Sequence, residues 1–285
     1  MPTCLFATDL HGRNERYDKL LRAITDGHPD AVFLGGDLLP HAWHSVGSGE
    51  YHDFVADYLV PSFRRTRDRL GAKYPEIFLI LGNDDPRREE EGFLEAAADG
   101  LWKYAHAQKV RWQGFVVYGC AYVPPTPFLL KDWERYDVSR YVPPGCVSPE
   151  EGYRSMPVEQ SEVKWATIQK ELIRLAGRDE FDRAVFLLHT PPYGTALDRA
   201  ALDGKLCEGV PLDVHVGSVA VRRFIEEHQP LLTMHGHVHE AARLTGEWKI
   251  RLGRTVCLNG AHDGPELALV RFDLLSPEEA TRELL

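Results

Sequence analysis

Short, almost wholly apolar runs alternate with stretches of helical spacing along most of the chain. Residues 4–8 (CLFAT), 31–35 (AVFLG), 77–81 (IFLIL) and 184–188 (AVFLL) have no polar alternation. A strand of that kind is buried on both faces, which is the condition of a central strand in a parallel sheet. Between these runs, residues 14–26, 51–70 and 88–98 carry charged and apolar positions at helical spacing and predict helices. Residues 115–119 (FVVYG) predict a further strand, 161–176 a helix, 218–228 a helix capped by Ser218, and 231–234 a strand. The last part, 247–274, predicts two or three strands in hairpin style. No internal repeat at solenoid or propeller spacing is present. The alternation predicts an α/β protein with two packed sheets and helices outside them.

Residues 121–160 break the pattern. They are rich in Pro, Gly and Tyr and contain the segment Lys131-Asp132-Trp133-Glu134-Arg135-Tyr136-Asp137. A stretch this long inside a compact domain is functional or disordered as a rule, and its aromatic and charged residues favour an ordered flap. The same alternation resumes after it, so residues 1–285 are expected to form one domain carrying an insertion at about 121–160.

The polar residues gather where the apolar runs stop. In order they are Asp9-Leu10-His11-Gly12, Gly35-Gly36-Asp37, Gly82-Asn83-Asp84-Asp85, His189, and Gly236-His237-Val238-His239. Sites in open α/β sheets form at the carboxyl ends of strands, so five clusters at five such ends converge. Asp, Asn and His are oxygen and imidazole donors suited to Mn, Fe, Zn, Ni or Mg. If the chain is still extended at Asp9 and His11, both side chains point the same way, and the same holds for His237 and His239. Taken singly, each cluster has a plainer reading. Asp9 and His11 suit a helix cap and a loop, Asp37 suits a turn, and a lone histidine after a strand suits a core.

Taken together, the five blocks resemble the ordered signature of the calcineurin-like metallophosphoesterases. That signature runs D-x-H, G-D, G-N-x-D, a lone H and G-H-x-H, and here it spans residues 9–239. The resemblance implies a four-layer α/β/β/α sandwich of two mixed sheets with outer helices, and a centre of two divalent ions, manganese foremost. It implies Asp9, His11 and His239 as ligands of one ion, Asn83, His189 and His237 as ligands of the other, and Asp37 as the carboxylate between them. Shared negative charge there is physically reasonable, because two dications about 4 Å apart repel. The implied reaction is hydrolysis of a phosphate ester by a hydroxide that bridges the ions.

The chain departs from the family at one point. Many members carry histidine directly after the asparagine, in a role at the leaving group or a phosphoryl oxygen, and this chain has Asp84. Asp84 could act as a general acid only with a raised pKa, which two neighbouring cations oppose. A diester is therefore slightly favoured over a monoester. The departure also admits a protein-interaction scaffold on the same fold with weak or absent catalysis, although all seven ligand positions are filled. Asp85, next along, is expected to orient a ligand, a histidine by preference.

Other residues near the clusters divide between site and structure. His235 reads as structural. His215 and His262 read as surface or core, with the pocket as the alternative. His41 and His44 are open candidates for substrate contact. Lys131, Trp133 and Arg135 are core or pocket cover, and Arg64, Arg65, Arg67 and Arg69 read as the solvated face of a helix.

Composition narrows the setting. The formal charge of −10 argues against general nucleic-acid binding, which needs Lys and Arg, and favours a small phosphate-ester substrate. No apolar stretch reaches about 18 residues, so no membrane span is expected. The start, MPTCLFATDLHG, lacks a basic region followed by an apolar run, so a cytoplasmic location is expected. Five cysteines, an odd number with no C-x-x-C pair, argue against a disulfide framework and a thiolate zinc site. Oligomeric state is not legible in the sequence.

Overall fold

The computed structural model describes residues 2–40 and 53–285. The chain opens with β1 (Thr3–Ala7), α1 (Asn14–Gly27) and β2 (Ala31–Gly35). Helix α1 forms because Tyr17, Leu20, Ala23 and Ile24 recur at three- and four-residue spacing and are all buried. A π-helical turn at Val55–Leu59 runs into α2 (Val60–Leu70), followed by β3 (Glu76–Ile80), α3 (Glu90–Ala98) and β4 (Lys103–Tyr104). Next come β5 (Lys109–Trp112), β6 (Phe115–Cys120), α4 (Gln160–Trp165), α5 (Ile168–Ala176) and β7 (Ala184–Leu188). A small hairpin, β8 (Leu206–Cys207) with β9 (Val210–Pro211), precedes α6 (Val219–His228) and β10 (Leu232–His235). The chain ends with α7 (Ala241–Thr245), β11 (Lys249–Leu252), β12 (Thr255–Asn259), β13 (Ala268–Asp273) and β14 (Thr281–Leu284).

Two six-stranded mixed sheets result. The first has the order β14-β13-β1-β2-β3-β4 and the second β11-β12-β10-β7-β6-β5. The strands grown from the apolar runs, β1, β2, β3 and β7, are buried but for the first residues of β1 and β3, and they pair in parallel with neighbours, β1 also pairing antiparallel with β13. The sheets meet through aromatic rings: Phe33 stacks on Phe78 at 5.2 Å, and Phe78 meets Trp112 of the other sheet edge-on at 5.8 Å. Outside the first sheet, Tyr17 of α1 packs on Phe54 and Tyr58, which lead into α2. Outside the second, Phe186 of β7 meets Phe224 of α6 at 5.0 Å. The layers are therefore helix, sheet, sheet, helix, as the resemblance implies.

The elements differ from expectation in four places. The helix expected over 161–176 is two helices, broken at Ala166–Thr167. There Thr167 is extended at φ −133°, its hydroxyl accepts from Lys170 N–H, and Ile168 N–H donates to Tyr136 O. The described part of 51–70 begins as a π-helical turn before Pro61, which has no N–H to give. Strands β11 and β12 form the expected hairpin, but β13 crosses to the first sheet and pairs with β1. Strands β4, β5, β8, β9 and β14 and the short helix α7 are not predicted by the sequence, because two to five residues carry too little periodicity to see.

The 121–160 segment is ordered and packed into the molecule. Lys131 and Glu134 are fully buried as an ion pair of 2.6 Å, with Lys131 Nζ also donating to Thr126 O at 3.0 Å. Glu134 accepts from Thr126 N–H at 2.8 Å and from its hydroxyl. Trp133 is buried and donates from Nε1 to Asp85 O at 2.7 Å, and Arg135 lies 4.4 Å over the Tyr122 ring. Lys131, Trp133 and Arg135 are thus core residues. Asp137 then caps α6, accepting from Ser218 Oγ and from Val219 and Ala220 N–H. Among the described residues, no helix is long and apolar enough to cross a membrane.

Candidate metal centre

The carboxyl ends of the two sheets meet along one edge, and the polar clusters face one another there. Past β1, hydrogen bonds tie the chain to the loop after β2: Asp9 N–H donates to Gly36 O, His11 N–H to Asp37 O, and Gly12 N–H to Leu38 O, each at 2.9 Å. This corrects the expectation of an extended chain at Asp9 and His11. Strand β1 stops at Ala7, and Asp9 and His11 are left-handed, with φ 55° and 48°. Asp37 at φ 51° and His237 at φ 70° share that conformation. Residues with a Cβ adopt it at a cost of order 1–3 kcal/mol each, and such residues concentrate at functional sites.

Two groups of donors result, with Asp37 in both. In the first, ligand atoms of Asp9, His11, Asp37 and His239 all lie within 4.8 Å of one another. In the second, the same is true of Asp37, His189 and His237. Asn83 adjoins the second group, its Oδ1 3.2 Å from His189 Nε2. Every residue expected as a ligand is therefore in the cluster.

Donor spacing fits a metal. His11 Nε2 and His239 Nε2 are 3.2 Å apart, His239 Nε2 and Asp9 Oδ1 2.9 Å, and His189 Nε2 and Asp37 Oδ2 3.2 Å. Ligands about 2.1 Å from one ion are about 3.0 Å apart across an octahedron edge and about 3.4 Å across a tetrahedron edge. His189 also has a fixed tautomer for the task. Its Nδ1–H donates to Gly35 O at 2.8 Å, which turns Nε2 toward Asp37 and Asn83.

Backbone contacts lock the carboxylates. Asp9 accepts from His237 N–H at 3.1 Å, and Asp37 accepts from Asp84 N–H at 2.8 Å. The approach is so close that side chains are excluded. A Cβ on Gly82 would stand 2.3 Å from Asp37 Oδ1, and one on Gly236 would stand 2.4 Å from Asp9 Oδ2. Buried Arg16 donates to Asp9 O and Gly264 O, so a fixed positive charge backs the first group.

The titration of the cluster follows from burial opposed by mutual charge. Burial pulls the His189 imidazole down, and the Asp37 carboxylate beside it overrides this and pushes it up to about 10. Asp37 in turn lies well below the usual carboxylate range, with burial outweighed by His189 and His11. Burial and the His189 charge push His237 down to about 4. The cluster thus has one shared, firmly ionised carboxylate with imidazoles on either side.

Asp84 is turned toward its neighbours. Its Oδ1 accepts from Asn83 Nδ2 at 2.9 Å, and its Oδ2 lies 3.8 Å from His11 Nδ1. The first contact fixes which end of the Asn83 amide faces His189. Among the described residues Asp85 orients no histidine, in contrast to the expectation. It accepts from Leu38, Leu39 and Gly82 N–H, at 3.1, 2.8 and 2.8 Å, and so binds two site loops together. Burial and the Asp37 charge push its pKa up to about 8, against those three bonds.

The other histidines separate clearly. His235 is buried, with Nδ1 donating to Thr190 O and Nε2 facing the Thr233 hydroxyl. His262 pairs with Glu266 at 3.0 Å, and His215 pairs with Asp198 at 2.8 Å. Neither belongs to a donor group. His41 and His44 lie outside the described residues. Sequence reasoning missed Arg16 and Asp198, because a single Arg on a helix and a single Asp in a loop carry no spacing signal.

A family model described as calcineurin-like phosphoesterase matches residues 2–241. No curated protein matches the chain in sequence. Among solved structures, TT1561 of Thermus thermophilus is 19% identical with a TM-score of 0.58, covering 99% of this chain and 98% of its own. A dimetal phosphatase from Danio rerio is 12% identical with a TM-score of 0.51, covering 99% and 95%. At these identities the shared property is the fold.

Proposed function

This chain belongs to the calcineurin-like phosphoesterases, a family of metal-dependent phosphoric ester hydrolases, and on that premise we propose that it hydrolyses a small phosphodiester at a two-metal centre on its sheet edge. The observation that carries the proposal is the membership of Asp37 in both donor groups. Asp9, His11 and His239 would hold one ion and Asn83, His189 and His237 the other, with Asp37 offered to both. The oxygen and imidazole donors suit Mn, Fe, Zn, Ni and Mg, and manganese is the ion we take forward. Two such ions supply neutralisation of the phosphoryl oxygens and a lowered pKa for water, from 15.7 toward about 7.

The chain's own residues do the rest. Asp37 and Asp9 are fixed by backbone N–H groups, so no reorganisation is needed when the ester arrives. His189 is held by Gly35 O in the tautomer that presents Nε2. Asp84 orients Asn83, which makes it a positioning residue. Its carboxylate replaces a group able to carry positive charge, and that favours the monoanionic diester over the dianionic monoester. The insertion belongs to the same domain as the sheets, since Trp133 bonds the carbonyl of Asp85 directly behind the centre.

The test is hydrolysis of an aryl phosphodiester and its monoester by chelated protein reloaded with manganese. Asp37→Ala should lower turnover by about 10³-fold or more and reduce the bound metal below two ions. Activity near wild type in that variant overturns the centre. Faster cleavage of the monoester overturns the diester preference.

A further inference from the structure

Asp84 leaves a place to fill. Its carboxylate is engaged by Asn83, so the proton that a departing alkoxide needs must come from elsewhere. On the hydrolase reading above, we propose that His215, held by buried Asp198, faces the ester and donates that proton. Three observations support it.

The first is the pair itself. Asp198 is fully buried and accepts from Gly194 N–H at 2.9 Å, Thr195 N–H at 2.9 Å and Gly217 N–H at 3.1 Å. It also accepts from His215 Nδ1 at 2.8 Å. Three backbone donors fix the carboxylate, and the carboxylate holds the ring through Nδ1–H, which leaves Nε2 as the atom that takes up and gives the second proton. The second is exposure. The His215 side chain is 32% exposed, and among the described residues its Nε2 makes no hydrogen bond. The third is location. The loop after His189 and the segment 214–218 run together: Pro192 pairs with Ser218, and Arg199 with His215. Val216 packs on the cluster of Ala200, Val238 and Ala241, and Val238 stands between His237 and His239. Both flanks of His215 thus adjoin segments that carry the centre's histidines.

The step balances simply. The oxygen of water forms a bond to phosphorus, and the ester P–O bond breaks with its electron pair going to the leaving oxygen. The Nε2 proton of the His215 imidazolium passes to that oxygen. The proton released by water goes to solvent, and solvent reprotonates the ring.

The experiment uses the full chain loaded with manganese. It compares an aryl diester with a nitro-activated leaving group against the same diester with an unactivated phenyl group. His215→Ala should lower kcat roughly 10²- to 10⁴-fold on the unactivated ester and less than about tenfold on the activated one. Two bound manganese ions should remain, and added imidazole should restore part of the turnover on the unactivated ester. Asp198→Asn, a change at the positioning residue, should shift the ratio between the two esters in the same direction. Equal losses on both esters, or no loss on either, overturn the proposal while leaving the hydrolase reading in place. Absence of turnover by the wild-type chain removes both.

Discussion

The sheet edge and the insertion both bury charge, and they do it in opposite ways. In the insertion, Lys131 and Glu134 form a closed knot: one cation, one anion, and Thr126 supplying further hydrogen bonds. Nothing from outside is needed to complete it. At the sheet edge, carboxylates and imidazole nitrogens point at one another across about 3 Å, on a backbone held left-handed at four residues. On the two-metal reading, added cations complete that arrangement, where the carboxylates otherwise pair only with the imidazoles. A closed charge network contributes to the fold, whereas an open one draws on the fold's stability for the sake of a ligand.

The largest effect should come from opening the closed knot. Lys131→Met leaves Glu134 buried without its cation and should cost about 3–5 kcal/mol in urea unfolding. Asp37→Ala in chelated protein removes the partner of buried His189, but that ring can shed its proton and stay neutral, so the loss should be smaller, about 1–2 kcal/mol. Similar losses in the two variants would erase the contrast.

A second effect is set by pH. His106 is buried, and its Nδ1 accepts from Ala121 N–H at 3.1 Å, which only an Nδ1 without a proton can do. Burial, reinforced by the Arg87 and Arg135 charges, pushes its pKa down to about 3. The fold therefore prefers the neutral ring. Its contribution is complete above pH of about 6.5 and is lost as pH falls toward 3. Between pH 7.5 and 4, wild-type protein should lose on the order of 3 kcal/mol that His106→Gln does not. Parallel pH profiles for the two proteins would show that the ring is not buried neutral.

The smallest effect sharpens the open side of the comparison. Manganese at about 100 times its dissociation constant should stabilise chelated protein by about 2.7 kcal/mol, and His237→Ala should lose most of that gain. An unchanged gain in His237→Ala would mean that manganese binds elsewhere.

The same contrast explains what could be read in the sequence. The site residues were legible because they follow long apolar runs: Asp9 follows CLFAT, and His189 follows AVFLL. Their backbone conformation was not legible, since nothing in D-L-H says that Asp9 and His11 leave the strand and bond to Gly36 and Asp37. Asp85 shows the limit of carrying a role over by position, because its contacts are to three backbone N–H groups. The broken helix at Thr167 depended on Tyr136, thirty-one positions earlier in the chain, and local spacing cannot see that.

The cap that Asp137 places on α6 has a consequence for local stability. Its carboxylate satisfies Ser218 Oγ and the first amides of the helix from within the insertion. Lifting that part of the insertion removes these bonds and leaves Ser218 Oγ, which accepts from Val221 N–H, as the remaining cap of α6. Opening of the insertion around Asp137 should therefore lower the local stability of the first turn of α6. On the reading of His215 as proton donor, the bonds from Asp137 to Ser218, Val219 and Ala220 link the insertion to the segment that carries that ring.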